Sequence, residues 1–121
     1  MSVSDNIKRG TIDVLVLTLL KQGDMYGYQI SQELDQQSRG LYTLLETSLY
    51  PTLYRLEDKG MIESRRELVG RRRTRVYYHI TEKGVEYLQR IRRDYLSLNR
   101  GVLYILGIDQ METLEKEIRR K

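Results

Sequence analysis

The rhythm of hydrophobic positions changes several times along the chain, and each change predicts an element. From about Gly10 to Lys21, Ile12, Leu15, Val16, Leu19 and Leu20 recur at helical spacing, while Val14 and Leu17 widen the stripe. A helix this apolar is buried on more than one side. Gly23-Asp24 stops it, and a second helix from about Tyr26 to Gln37 puts Ile30 and Leu34 one turn apart. Ser38-Arg39-Gly40 reads as a loop. A third helix begins near Ser48, its expected N-cap, with Pro51 in the first turn and Gly60 as the left-handed closing residue. Leu49, Leu53 and Leu56 make its buried stripe, and Ser48, Thr52, Arg55 and Lys59 share another face.

Two runs of strand-forming residues follow, at about 61–68 and 74–80, with Gly70, Arg71, Arg72 and Arg73 on the turn between them. Thr81 reads as the N-cap of a fourth helix carrying Leu88, Ile91, Tyr95, Leu98, Val102 and Ile105 at alternating three- and four-residue spacing. That is the seam of a helix packed lengthwise on another helix, and a second copy of the chain can cover it. Gly101 and Gly107 are places where this helix kinks or ends, and residues 109–121 are expected to form a short charged helix. The fold predicted is mainly α with a β-hairpin. It is a winged helix-turn-helix over residues 1–81, followed by a C-terminal dimerisation helix and charged tail over 82–121.

Composition fits this picture. A chain of 121 residues suits one domain plus an appended helix. Phe and Trp are absent and Tyr occurs ten times, so the core relies on Leu, Ile and tyrosines whose hydroxyls need polar partners. The absence of cysteine excludes disulfides and thiolate chemistry. The first ten residues lack the apolar core of a secretory signal, and Val14 to Leu20 is too short to span a bilayer. A cytoplasmic protein with no membrane partner is expected.

Charge sharpens the reading. The net charge is +4, with residues 61–80 alone carrying six arginines against two acids. A cationic hairpin is self-repelling and calls for an anionic partner, most commonly the phosphates of double-stranded DNA. The helix before it supplies a surface for the major groove, which admits one α-helix. Ser48 and Thr52 can bond phosphates or base edges, Tyr50 and Tyr54 offer hydroxyls on rigid rings, and Arg55 can pair with guanine. The alternative is that the tyrosines complete the core and Arg55 is a solvated surface residue. At the hairpin tip, Arg71, Arg72 and Arg73 suit a narrow minor groove. Arg65, Arg66 and Arg75 lie on the strands, placed to touch phosphates or to pair with Glu63 and Glu67. His79 is the sole histidine and has no cysteine to join it, so no metal site is expected. No catalytic constellation appears, no cofactor is implied, and Gly70 opens no helix as a nucleotide-binding loop does. The chain does not read as an enzyme.

Three separated motifs carry a resemblance. Met25-Tyr26-Gly27-Tyr28-Gln29-Ile30 resembles the opening of the second helix in the PadR family of bacterial transcriptional regulators. The run from Ser48 to Gly60, with Leu49-Tyr50-Pro51 and Arg55-Leu56-Glu57, is similar to that family's recognition helix. Gly70-Arg71-Arg72-Arg73, with Tyr77-Tyr78-His79-Ile80-Thr81-Glu82-Lys83-Gly84, resembles its wing. The match spans about residues 7–100 and points to the small subfamily with a short C-terminal region. It implies a homodimeric repressor released from an inverted-repeat operator by a small molecule, and it brings Tyr26 into the DNA-binding set with Lys59 and Arg75. It also implies a pocket for a small hydrophobic or aromatic effector at the dimer interface, with Tyr95 as the aromatic and Leu15 as a neighbour. This chain departs from the multidrug-binding relatives in having no Trp or Phe to sandwich a planar ligand. The other reading kept open is a winged helix that binds proteins and no DNA.

Overall fold

The computed structural model describes residues 7–119. The expectations for the extreme N-terminus and for the last two residues of the charged tail lie outside that range. The elements run α1 (Ile12–Gln22), β1 (Met25–Tyr26), α2 (Gly27–Gln37), α3 (Glu46–Asp58), β2 (Ile62–Val69), β3 (Arg73–Ile80), α4 (Glu82–Ile105) and α5 (Met111–Arg119). They form two compact units, one through Gln89 and the other from Arg90 onward, with α4 contributing to both. The fold class is the one expected, mainly helical with a small antiparallel sheet.

In the first unit, α1 is apolar on most sides and buries Val16, Leu17, Leu19 and Leu20. It packs with α2 and α3 and against β3. Ile30 and Leu34 from α2 and Leu49, Leu53 and Leu56 from α3 complete the helical part of the core. Ile62, Tyr78 and Ile80 close it from the sheet.

Two helix starts differ from expectation. Tyr26 is not helical: it is extended (φ −93°, ψ 166°) and, with Met25, adds a short strand beside Tyr77 and Tyr78 of β3. The sheet is therefore three-stranded in the order β1-β3-β2, and a two-residue strand is too brief to show a period of two. α3 starts at Glu46 behind an extended Leu45, and the Ser48 N–H donates to Leu45 O at 3.0 Å within the first turn. Ser48 is thus the third helical residue and not the cap. Pro51 sits inside the helix, where it removes the N–H that Thr47 O would accept. The far end is as expected. Gly60 takes φ +78°, with its N–H on Glu57 O (3.0 Å) and the Met61 N–H on Leu56 O (2.9 Å).

The hairpin pairs Ile62 with Ile80 at its base and Val69 with Arg73 near its tip. Its turn is Gly70, Arg71 and Arg72, with Gly70 at φ +77°, so Arg73 opens β3 and does not lie on the turn. At the base, Thr81 caps α4 by accepting the Gly84 N–H at 3.1 Å. Gly84 lies so close to the chain below that a Cβ there would be 2.1 Å from Met61 O.

Within the first unit Leu88 is 4% exposed. It belongs to the monomer core and drops out of the proposed seam, because the N-terminal turns of α4 cap that core. Further along, in the second unit, Leu98 and Ile105 are 71% and 88% exposed. Gly101 does not interrupt α4. Gly107 ends it at φ +80°, with the Ile108 N–H on Leu103 O at 2.8 Å, and buried Ile108 leads into the charged helix α5.

Gly84→Ala is expected to destabilise the chain by about 1–3 kcal/mol, the usual range for forced overpacking, since backbone and not a flexible side chain blocks the methyl. A denaturation midpoint equal to wild type would show that the Met61–Gly84 approach relaxes freely.

Candidate nucleic-acid interface

The buried stripe of α3 fixes which residues face outward. Opposite Leu49, Leu53 and Leu56, helical geometry places Thr47, Pro51, Tyr54 and Asp58, and all four are exposed. The face expected from sequence, Ser48, Thr52, Arg55 and Lys59, is a flank of the helix and is not uniform. Ser48 and Lys59 are exposed, whereas Thr52 is 7% exposed and part of the core. Thr47, Pro51 and Asp58 were missed, although taking the stripe half a turn from the leucines would have found them.

Arg55, though exposed, is paired within the first unit. Its guanidinium donates to both carboxylate oxygens of Asp13 on α1, at 2.6 and 2.8 Å, and this pairing holds its pKa above the usual arginine value. Half-exposed and screened, such a pair adds at most about 1 kcal/mol. Its effect is to tie the side of α3 to α1, so that the guanidinium already has a carboxylate partner.

Tyr50 and Tyr54 stack with ring centroids 6.0 Å apart. The Tyr50 hydroxyl donates to Glu46 Oε1 at 2.8 Å, and that bond, with some help from burial, pushes its pKa up to about 12. Tyr50 is half-buried against Gly27, where an added Cβ would meet its hydroxyl at 3.2 Å. Tyr54 stands out into solvent, 62% exposed, on this braced partner.

In the hairpin, the pleat divides the arginines. Arg66 shares a face with Ile62, Tyr78 and Ile80, while Arg65 and Arg75 share the other with Tyr77 and His79. Arg65 is paired with Asp24 and with Glu67 (3.0 Å) and lies over the Tyr77 ring at 5.3 Å. The expected pairing with Glu67 is therefore present, and Asp24 was the unforeseen partner. His79 Nδ1 also meets Asp24, at 2.8 Å. Arg75 lies 4.3 Å above the centroid of Tyr26, itself edge-on to Tyr77. Arg71, Arg72 and Arg73 are exposed and make no ion pair among the described residues.

A cleft of about 650 Å³ opens between α3 and the sheet. It brings together Tyr26, Tyr50, Tyr54, Arg66 and Arg75, with Glu57 holding the Ser64 hydroxyl on its wall. Arg71, Arg72 and Arg73 lie beyond it at the tip. Of the residues expected around an effector, Leu15 is half-buried in the first unit and Tyr95 is 37% exposed in the second.

The family model of the transcriptional regulator PadR-like family matches residues 16–90. Transcriptional regulator Rv3488 of Mycobacterium tuberculosis is 34% identical over 96 residues, covering 79% of this chain and 86% of that protein. A transcriptional regulator from Clostridium thermocellum has a similar structure, with a TM-score of 0.74 at 34% identity, covering 82% of this chain and 95% of the other. Bacillus subtilis PadR, solved in complex with operator DNA, gives a TM-score of 0.62 at 26% identity. That match covers 74% of this chain and 48% of PadR, so the chain spans about half the length of that regulator.

The Asp24 network predicts a pH signature. The hydrogen bond from His79, then that from Arg65, outweigh burial and hold the Asp24 carboxyl below its ordinary value of 3.8. A depressed carboxylate stabilises the fold above its unfolded pKa and loses that contribution as pH falls through the folded one. Asp24→Asn is therefore expected to be less stable than wild type near neutrality, with the gap closing as pH drops below 3.8. Thermal melts at several pH values test this, and a gap independent of pH would contradict it.

Proposed function

The chain belongs to the PadR-like family of transcriptional regulators, and on that premise we propose that it is a homodimeric repressor that binds an inverted-repeat operator in double-stranded DNA in the cytoplasm. One observation carries the reading: three exposed arginines, without an ion pair among the described residues, stand at and beside the turn of a hairpin whose base is bonded to the C-terminal end of α3. A surface this cationic gains most from releasing the counterions of a phosphate backbone. In this arrangement residues 1–81 are the DNA-binding domain and 82–121 the dimerisation helix and tail. α3 enters the major groove, and the hairpin tip meets phosphates or the adjacent minor groove. Arg66, Arg75, Tyr26 and Lys59 supply flanking contacts. The operator complex of the PadR relative supports this reading.

Dimerisation rests on the remainder of the seam, half-buried Ile91 and exposed Tyr95, Leu98, Val102 and Ile105. An apolar row this long gains roughly 25 cal/mol for each Å² that a second copy removes from water. Two copies related by a dyad would place their α3 helices about one DNA turn apart, roughly 34–36 Å, hence the inverted repeat. A small hydrophobic or aromatic effector that binds at the dimer interface, where Tyr95 supplies the aromatic, and alters that spacing would release the operator.

Replacing Arg71, Arg72 and Arg73 with Ala is expected to weaken DNA binding and to lower the slope of log K against log salt by roughly 2–3, about 0.9 for each phosphate no longer neutralised. An unchanged slope would remove the hairpin from the interface. Leu98→Asp is expected to convert a dimer to a monomer in sedimentation without unfolding it, and to weaken operator binding in parallel. A variant that stays dimeric would exclude this seam.

A further inference from the structure

The outward surface of α3 has a chemical character that the proposed function does not require. The stripe Thr47, Pro51 and Tyr54 contains no Arg, Lys, Asn or Gln. Those are the side chains that pair bidentately with guanine or adenine in a major groove. The one arginine on the helix, Arg55, is held by Asp13, and Glu46, the acid in the first turn, already accepts the Tyr50 hydroxyl. What remains outward is a threonine methyl and hydroxyl, a proline ring and a tyrosine ring stacked on a braced neighbour.

We propose that this stripe reads thymine through its C5-methyl group, so that Thr47 and Pro51 are specificity-determining residues and the core of each half-site consists of A·T pairs. The proposal rests on the DNA-binding reading above and deepens it. The thymine methyl is the single apolar feature on a base-pair edge in the major groove, and it is the feature such a stripe can distinguish. Rigidity favours the same conclusion. Pro51 has no side-chain torsion to lose, and Tyr54 rests on Tyr50, which the Glu46 hydrogen bond and close contact with Gly27 hold in place.

The test uses the full-length chain and a pool of random-sequence duplex DNA, from which bound duplexes are selected. Thymines in the recovered half-sites are then replaced one at a time by deoxyuridine, which removes only the methyl. One or two positions per half-site are expected to lose about fourfold in affinity, as the roughly 0.8 kcal/mol of one buried methyl implies. Thr47→Ser, which keeps the hydroxyl and lies on the surface, is expected to cost about the same on thymine DNA and to abolish the loss at one of those positions. Affinity indifferent to every uracil, or losses fully additive with Thr47→Ser, would overturn the inference while leaving DNA binding intact. Recovery of no duplex at all would instead remove the DNA-binding reading, and this inference with it.

Discussion

The geometry of the interface depends on one crowded junction, where the end of α3, the base of the hairpin and the start of α4 meet. The Thr81 hydroxyl donates toward Gly60 O (2.7 Å) and Met61 O (3.0 Å), and the Thr81 N–H meets Met61 O at 3.0 Å. The same hydroxyl accepts the Gly84 N–H, and Lys83 Nζ reaches Lys59 O at 2.8 Å. Carbonyls freed at the end of one helix are thus satisfied by the cap of the next. Because Gly84 has no Cβ, the two backbones approach closely enough for all of these bonds to form together. The angle between α3 and the hairpin is then held by hydrogen bonds to backbone carbonyls at this junction, together with the burial of Leu56, Ile62 and Ile80 around it. That is the angle a DNA-binding winged helix has to hold.

Around this junction the charges fall into two classes. Arg55 and Arg65 are paired, at the surface, with Asp13, Asp24 and Glu67 and tie α1, the β1 turn and the hairpin to one another. Arg71, Arg72 and Arg73 are exposed and have no such partners among the described residues. Counting arginines in the sequence treats both classes alike. Only the fold shows that a nearby carboxylate consumes some of them.

How much of this could be read from the sequence depended on the length of each pattern. The α1 and α4 stripes span three turns or more, so their helices were legible. The hairpin showed the place of its turn through Gly70, whose φ of +77° is left-handed. β1 was not legible, since two residues carry no periodicity and Tyr26 is extended only because β3 offers it a partner. The start of α3 was obscured because Ser48 is a good cap and Pro51 a good first-turn residue, yet the chain enters the helix earlier, behind the extended Leu45. Burial of Thr52 and Leu88 is a tertiary effect. Both sit at helical spacings compatible with two faces, and packing against the rest of the first unit decides between them. The Arg55–Asp13 pair joins residues far apart in sequence, and no local pattern announces it.

These placements separate two tasks that a single arginine-rich surface would merge. The hairpin tip carries long, fully charged side chains whose attraction to phosphate is long-ranged, screened by salt and blind to sequence. The outward stripe of α3 carries short, stiff and mostly uncharged groups whose contacts act only at van der Waals distance and are little affected by salt. In the proposed complex with DNA, the first group would govern how strongly and how fast any duplex is held, and the second which duplex is kept. The junction at Thr81 and Gly84 couples them, since it sets where the stripe lands once the arginines have engaged. In such a design, affinity can be tuned at the hairpin tip without altering sequence choice, because the two contributions arise from different atoms on elements joined by a rigid backbone.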